Sequence, residues 1–412
     1  MMVSRAYQAM RKTRGPCVLL ESTAAPSSLA RRNLLARSPR SVLVASGRGL
    51  VLAGPEGARA VGGDAFAALR AMLREVRPGR WPVEGGIAGA LAYDAARPGE
   101  GAATPRLLAL AVDRFLVEDD DGVHGDDADG APAPWVDAIL PVASPEAAAG
   151  DLVPPVDLPR WSSLTREEHR RLVRVVQAHI AAGDIDQANL SQRFTLPWKA
   201  GGLALYAALR GISPAPFAGY LRAGGIEIVS ASPERLLSVA GGQAALLLSE
   251  KERAEHLMLV DLARNDLDRV AEIGSVRVDE LMVVEEQSHV RHIVSNVSAT
   301  VRAGCDPLDA LAALFPGGTI TGVPKIRCME ILDRVEPVPR GFYTGALFYL
   351  TPSGRLDANI LIRSAVVEGG RVTFHAGGGI VSDSDPDREY EETLHKAEGM
   401  RLALEAVLAG GG

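Results

Sequence analysis

The chain has 412 residues, 47% of them hydrophobic and 23% charged. That length allows two or three domains of ordinary size or one large fold, and that composition excludes a disordered chain. Asp and Glu (51) outnumber Lys and Arg (44), giving a net charge of −7, and aromatics make up 5%, so neither nucleic acid nor an anionic membrane is an expected partner.

Three cysteines occur, Cys17, Cys305 and Cys328, and none forms a CxxC pair. Neither a disulfide framework nor a cysteine-based zinc site is expected. The N-terminal stretch has one short apolar run, Val18–Leu20. A signal peptide needs about 7–15 apolar residues and a bilayer span about 20, so a cytoplasmic protein is expected.

Residues 1–150 contain short apolar runs (Cys17–Leu20, Ser41–Ala45, Leu107–Val112), helical spacing over Ala65–Val76 and a glycine-rich strand, GGIAGALAYD, at Gly85–Asp94. Residues 119–134 are acidic and rich in Gly and Pro, and read as solvated loop. The proline-rich stretch after them reads as linker, so the chain divides into an N-terminal region at 1–150, a linker at 151–161 and a second region at 162–412. The second region opens with a helix over Thr165–Ala182, where Thr165 and Glu168 form a capping box. Strands follow at Asn189–Leu196 and Ile226–Ser230, then a helix at Ser249–Leu267 and an alternating stretch at His289–Val301. Helices at Asp306–Leu314 and Val323–Leu332 precede strands at Gly345–Leu350, Asn359–Val367 and Val372–Ala376, and a last helix runs from about Pro386 to Leu408. Strands and helices in blocks predict an α+β fold with large, mostly antiparallel sheets flanked by helices.

Several familiar chemistries are missing. There is no G-x-S-x-G elbow and no H-E-x-x-H helix. In GGTITGVPK (Gly317–Lys325) the lysine does not directly follow the second glycine and no Ser or Thr comes after it, so it is not a phosphate loop. Two helices instead carry glutamates at i, i+3: Glu252 with Glu255, and Glu389 with Glu392. That spacing puts each pair on one helix face, and two such faces together make an oxygen-rich pocket suited to Mg²⁺. The same spacing is also common on solvated helix faces. Lys396 lies one turn beyond Glu392. The glycines of HAGGGI (375–380) open a backbone to an anion, and Arg363, within the apolar run NILIRSAVV, reads as a buried arginine that needs an anionic partner or an internal salt bridge. A metal pocket, Arg, Lys and bare amides suggest a small polycarboxylate ligand.

The ordered series DQANLSQRF (186–194), SASPERLL (230–237), SEKERAEHLMLVDLARNDL (249–267), HVRHIVSNV (289–297), FPGGTITGVPK (315–325), YTGALFYL (343–350), DANILIRSAV (357–366), AGGGIVSDSDP (376–386) and EYEETLHKA (389–397) strongly resembles the chorismate-utilising enzymes, over essentially all of 162–412. LLES (19–22) and GGIAGALAYD (85–94) extend the resemblance more loosely into the first region. Within the family the wording is most like component I of aminodeoxychorismate synthase, with anthranilate synthase component I close behind. The resemblance implies an anthranilate-synthase-like layered sandwich. It implies Mg²⁺ ligation by Glu255 and Glu392 with Glu252 and Glu389 close by. It implies that Tyr343, Arg363, Gly377, Gly378, Gly379 and Lys396 hold the carboxylates of chorismate, that Glu234 and Thr319 line the ring pocket, and that His292 transfers a proton. Mg²⁺ on the ring carboxylate acts as a Lewis acid while an acid protonates the leaving hydroxyl. In the water-adding branch a lysine stands where this chain has Gln187, so ammonia is the implied nucleophile, supplied by a glutamine amidotransferase partner. In some members LLES lines a tryptophan pocket, implying Leu20, Glu21 and Ser22 here.

The match breaks between SPERLLSV and SEKERAEH, where the family carries a PIKGT or PIAGT segment and this chain has AGGQAALLL (240–248). PIKGT goes with aminodeoxychorismate formation and PIAGT with anthranilate. The expected activity is amination of chorismate to 4-amino-4-deoxychorismate on the p-aminobenzoate and folate route. Anthranilate synthesis is the first alternative, and a chorismate- or tryptophan-binding homologue impaired by the missing segment is the second.

Overall fold

The computed structural model describes residues 4–24, 32–47, 49–82, 84–96, 106–125, 152–250, 253–287 and 290–410; for 96, 247–250, 253–256, 283–287 and 290–294 it describes the backbone only. Eight helices are described: α1 (Arg5–Lys12), α2 (Ala65–Glu75), α3 (Arg166–Ala181), α4 (Gly201–Ile212), α5 (Arg253–Asp268), α6 (Pro307–Leu314), α7 (Lys325–Val335) and α8 (Pro386–Gly410). The strands of the first half are β1 (Cys17–Glu21), β2 (Asn33–Arg37), β3 (Ser41–Ser46), β4 (Gly49–Gly54), β5 (Gly57–Val61), β6 (Gly86–Leu91), β7 (Leu107–Val112), β8 (Leu116–Asp119) and β9 (Gly122–His124). Those of the second half are β10 (Gln187–Pro197), β11 (Phe217–Ala223), β12 (Ile226–Ser232), β13 (Arg235–Ala240), β14 (Gln243–Glu250), β15 (Arg277–Gln287), β16 (Val290–Thr300), β17 (Gly322–Val323), β18 (Ala346–Leu350), β19 (Leu356–Asn359), β20 (Ser364–Glu368) and β21 (Arg371–Ile380).

They form two sheets, ordered β17-β10-β21-β20-β12-β11-β1-β2-β8-β9 and β15-β16-β14-β13-β19-β18-β6-β7-β3-β4-β5. Every strand pairing among the described residues is antiparallel. Both sheets draw strands from either side of 151–161, with β1 on β11 and β6 on β18. The predicted α+β class with large antiparallel sheets is what the chain adopts.

The layers follow from the period of two along each strand. In β7, Leu107, Ala109 and Ala111 face α2, α5 and α6, while Leu108, Leu110 and Val112 face the other sheet. In β1, Cys17 and Leu19 pack under α1, α4 and α8, while Val18 points between the sheets. A strand covered on both faces must be apolar throughout, which is why LLALAV reads as an unbroken run. Each such Leu contributes about 1.5–3 kcal/mol by leaving water. The order is therefore helices, sheet, sheet, helices.

Three sequence expectations change. The helix expected at Ser249–Leu267 begins at Arg253, because the chain up to Glu250 is drawn into β14 by pairing with β16. Residues 119–124 are the β8–β9 hairpin rather than loop, and 126–151 lie outside the described residues. The strand expected at Asn359–Val367 is two strands, β19 in the second sheet and β20 in the first, so 360–363 cross between sheets. The capping box on α3 is present: Thr165 N donates to Glu168 Oε2 at 2.7 Å and Glu168 N donates to Thr165 Oγ1 at 3.3 Å. Thr165→Ala should lower stability by about 1 kcal/mol, read as an earlier urea midpoint. An unchanged midpoint would show that α8 packing alone holds this helix.

Candidate functional site

β21 pairs with β10 along its length, from Ala188↔Ile380 to Pro197↔Arg371. Its other edge pairs with β20 only from Ala365↔Phe374 to Glu368↔Arg371. Beyond Phe374 that edge, with Gly377, Gly378 and Gly379, leaves the β20 ladder. The glycines expected to open a backbone to an anion are thus part of a strand with one edge open, because β20 ends where the chain crosses from the second sheet.

α8 packs over this strand. A Cβ at Gly378 would lie 3.1 Å from Glu389 Oε2 and 3.7 Å from Glu392 Oε1, so both carboxylates converge on the bare backbone there. Glu389 also accepts from Ser384 Oγ at 2.7 Å. Lys396 Nζ lies 2.7 Å from Glu392 Oε1 and donates to Gly377 O at 3.0 Å. The i, i+3, i+7 spacing of Glu389, Glu392 and Lys396 stacks the three groups along one side of the helix.

Glu234 and Arg363 sit at two neighbouring crossovers. Glu234 lies between β12 of the first sheet and β13 of the second, and Arg363 between β19 and β20. Ile360 N donates to Glu234 O at 3.1 Å, and Ala231 N to Arg363 O at 3.1 Å, tying the crossings together. Arg363 was expected to be buried in an apolar strand. It is exposed, with left-handed backbone (φ 49°), because the chain turns there to change sheets. Thr319 Oγ1 donates to Glu234 Oε2 at 3.3 Å. Burial raises the Glu234 carboxyl above its ordinary range, against the Thr319 hydrogen bond and the charges of Arg363 and Lys396.

Tyr343 is buried, which raises its phenol, and its ring stacks on His375 at 4.9 Å and 9°. Burial and the charges of Arg193 and Arg340 push His375 well below its ordinary value, so it is a neutral imidazole at physiological pH. Arg363, Glu392 and Lys396 are exposed and line an open cleft of about 710 Å³ with Arg388, His395 and Ser213.

The structure thus brings together Glu234, Thr319, Arg363, Gly378, Glu389, Glu392 and Lys396, with Gly377 beside Gly378. Glu252 lies outside the described residues, and Glu255 on α5 and His292 on β16 are described by backbone only. Among the described residues no three His, Cys, Asp or Glu side chains group as a metal site. The Glu389 and Glu392 oxygens over Gly378 nonetheless fit a hard divalent ion that takes one or two carboxylates and completes its shell with ligand and water. Leu20, Glu21 and Ser22 lie elsewhere, at the end of β1. Glu21 is buried and accepts from Arg210 Nε and Tyr206 Oη, both at 2.7 Å, and from Ser4 Oγ at 2.9 Å. The Ser22 hydroxyl is buried with no hydrogen-bond partner among the described residues.

Sequence reading missed Arg340, Glu336 and His375. Arg340 is buried and its guanidinium meets both Glu336 oxygens at 2.7 Å. The available signal was a glutamate and an arginine four residues apart across the proline-rich segment Pro337–Pro339.

Gly378→Ala should drive a methyl between the two carboxylates. Its affinity for Mg²⁺, measured by calorimetric titration, should fall at least tenfold; wild-type affinity would place the ion elsewhere. Because folding raises the Glu234 pKa above the ordinary 4.5, the folded chain keeps a proton that the unfolded chain has released. Stability therefore falls as pH rises through that window. Glu234→Gln should gain thermal stability over wild type at pH 8 and not at pH 4; a gain independent of pH would contradict the shift.

A family profile described as chorismate binding enzyme matches residues 16–246 and 242–401, two stretches that meet at the β13–β14 hairpin. Anthranilate synthase component 1 of Geobacillus stearothermophilus is 45% identical over 267 residues, covering 59% of this chain and 53% of that protein. Fifty-nine per cent of 412 residues is about 243, so some aligned positions of that protein have no counterpart here. The chain spans about half the length of the first curated relatives it matches. Anthranilate synthase component 1 of Cereibacter sphaeroides is 37% identical over 399 residues, covering 83% of this chain and 79% of that one. Among solved structures, anthranilate synthase component I from Streptococcus pneumoniae TIGR4 superposes with a TM-score of 0.76 at 28% identity, covering 92% of this chain and 93% of that one. With the family profile spanning nearly the whole chain and the acidic helix set over an open glycine strand, this protein belongs to the chorismate-binding enzyme family.

Proposed function

We propose that the chain aminates chorismate with ammonia and releases anthranilate, pyruvate and water, as component I of an anthranilate synthase. The observation that carries this reading is the convergence of Glu389 and Glu392 over Gly378, beside Arg363 and Lys396. The names of the relatives favour anthranilate over the aminodeoxychorismate expected from sequence wording.

Glu389 and Glu392 would hold Mg²⁺, with Glu255 from α5 as the ligand from the opposite helix and Glu252 near it. The bound ion would supply Lewis acidity to the ring carboxylate. Arg363, Lys396, Tyr343 and the open β21 edge at Gly377–Gly379 orient the other carboxylate by charge and hydrogen bonds. Glu234, its carboxyl raised above the ordinary range by burial, would exchange a proton near the ring while Thr319 fixes its orientation. His292 is the proton-transfer group of this reading. A glutamine amidotransferase subunit would supply ammonia. Tryptophan beside Leu20–Ser22 would meet the Ser22 hydroxyl, since Arg210, Tyr206 and Ser4 already engage Glu21.

A second reading, a chorismate binder with impaired turnover, is favoured by the solvent exposure of Arg363, Glu392 and Lys396 and by the relative's positions that have no counterpart here. Incubation with chorismate, Mg²⁺ and ammonium salt separates the readings. Anthranilate fluorescence supports the first. Product that becomes p-aminobenzoate only after a lyase is added supports aminodeoxychorismate formation. Calorimetric binding without product supports the second reading. Glu392→Gln should lower turnover at least 100-fold with its melting temperature held within about 1 °C, a shift worth roughly 1 kcal/mol in a chain this long. Retained turnover would remove Glu392 from the metal site.

A further inference from the structure

Arg340 lies in the turn before Tyr343 and is 3% exposed. Its Nε and Nη2 donate to the two Glu336 oxygens, each at 2.7 Å. Nη1 donates to Ile320 O at 2.8 Å, one residue past Thr319, and Nη2 donates to Asn189 O at 2.5 Å on β10. Glu336 in turn accepts from Ser191 N at 2.9 Å and Ser191 Oγ at 2.8 Å. The guanidinium lies 5.7 Å from the Tyr343 ring centroid and 4.8 Å from that of Tyr93. The N-terminal half holds the same turn: Tyr93 N donates to Gly341 O at 2.8 Å and Gly341 N donates to Asp94 Oδ2 at 3.0 Å.

These contacts converge on the two segments that carry Tyr343 and Thr319. We propose that Arg340, fixed by Glu336, is a positioning residue that sets the Tyr343 ring and the Thr319 loop for chorismate. The inference rests on the reading of Tyr343 as a substrate contact. Arg340 spends its donors on the protein, so it acts through its neighbours. The geometry needs the guanidinium fork: one planar group serves a carboxylate and two carbonyls in different directions while presenting its face to two rings. A lysine supplies three donors from one point and no face. The pair also explains why LAYD (91–94) of the N-terminal half lies beside the site, since Tyr93 and Asp94 clamp the turn that begins at Arg340.

The test is a double-mutant cycle on chorismate affinity, read by calorimetry in the presence of Mg²⁺. Arg340→Lys and Tyr343→Phe should each weaken binding, Arg340→Lys by about tenfold or more. The double variant should bind no more weakly than the worse single variant. Tyr220→Phe loses the buried hydroxyl bond to Glu227 far from this turn. It should lower the melting temperature and leave chorismate affinity unchanged, so a general loss of stability does not mimic the effect. Should Arg340→Lys fail to fold, Glu336→Gln enters the same cycle with the same expectation. Multiplying losses in the double variant, or wild-type affinity in Arg340→Lys, overturns the positioning role alone. A wild-type chain that binds no chorismate overturns the substrate reading and this inference together.

Discussion

The ion pair between Arg340 and Glu336 is the constraint on which the arrangement depends. Both groups are almost wholly out of water, with side-chain exposures of 2% and 6%. Two charges so buried carry a desolvation cost that attraction offsets only if the remaining donors and acceptors are filled. Here they are filled from separate parts of the chain: Ser191 for the carboxylate, and Ile320 and Asn189 for the guanidinium. Removing one partner would strand a buried charge, a loss of about 3–5 kcal/mol in comparable pairs. The pair therefore fixes β10, the Thr319 loop and the Tyr343 turn relative to one another.

Around that point the chain changes sheets repeatedly: between β12 and β13, β16 and β17, β17 and β18, and β19 and β20. Glu234 and Arg363 lie in two of these crossings, where the backbone leaves one ladder before joining the next. Ser232 Oγ donates to Ile360 O at 2.5 Å and Ser364 Oγ to Ser230 Oγ at 2.7 Å, so hydroxyls satisfy groups that the ladders no longer serve. A residue in a ladder is committed to one face by the period of two. A residue in a crossing is free of that rule, and its side chain can point along the gap between sheets. Placing Glu234 and Arg363 in two hydrogen-bonded crossings puts a carboxyl and a guanidinium next to an open strand edge without interrupting either sheet's core.

Two features set the character of the pocket. Gly378 has no side chain, which lets two α8 carboxylates approach the backbone of β21. The outer wall is thin, since Arg363, Glu392 and Lys396 all reach solvent. The family match passes from one stretch to the next at the short β13–β14 hairpin. That open wall leaves water access to any ligand held in the cleft.

Much of this was legible in residue order. Antiparallel α+β architecture followed from blocks of strands and helices, the α3 capping box from Thr165 and Glu168, and the acidic stripe on α8 from the spacing of Glu389, Glu392 and Lys396. These are local properties: a period of 3.6 or 2, or a side chain reaching its own helix end, is written within a few neighbouring residues. The crossover at Arg363, the extension of β14 to Glu250 and the strand conformation of Gly377–Gly379 were not legible, because each depends on which distant strand lies alongside. The joining of Arg340 to Tyr93, Asn189 and Ile320 was also decided only in three dimensions. Residue order set which groups were available and on which face of each element they lay. Long-range strand pairing and a buried charge seeking partners decided which of them met.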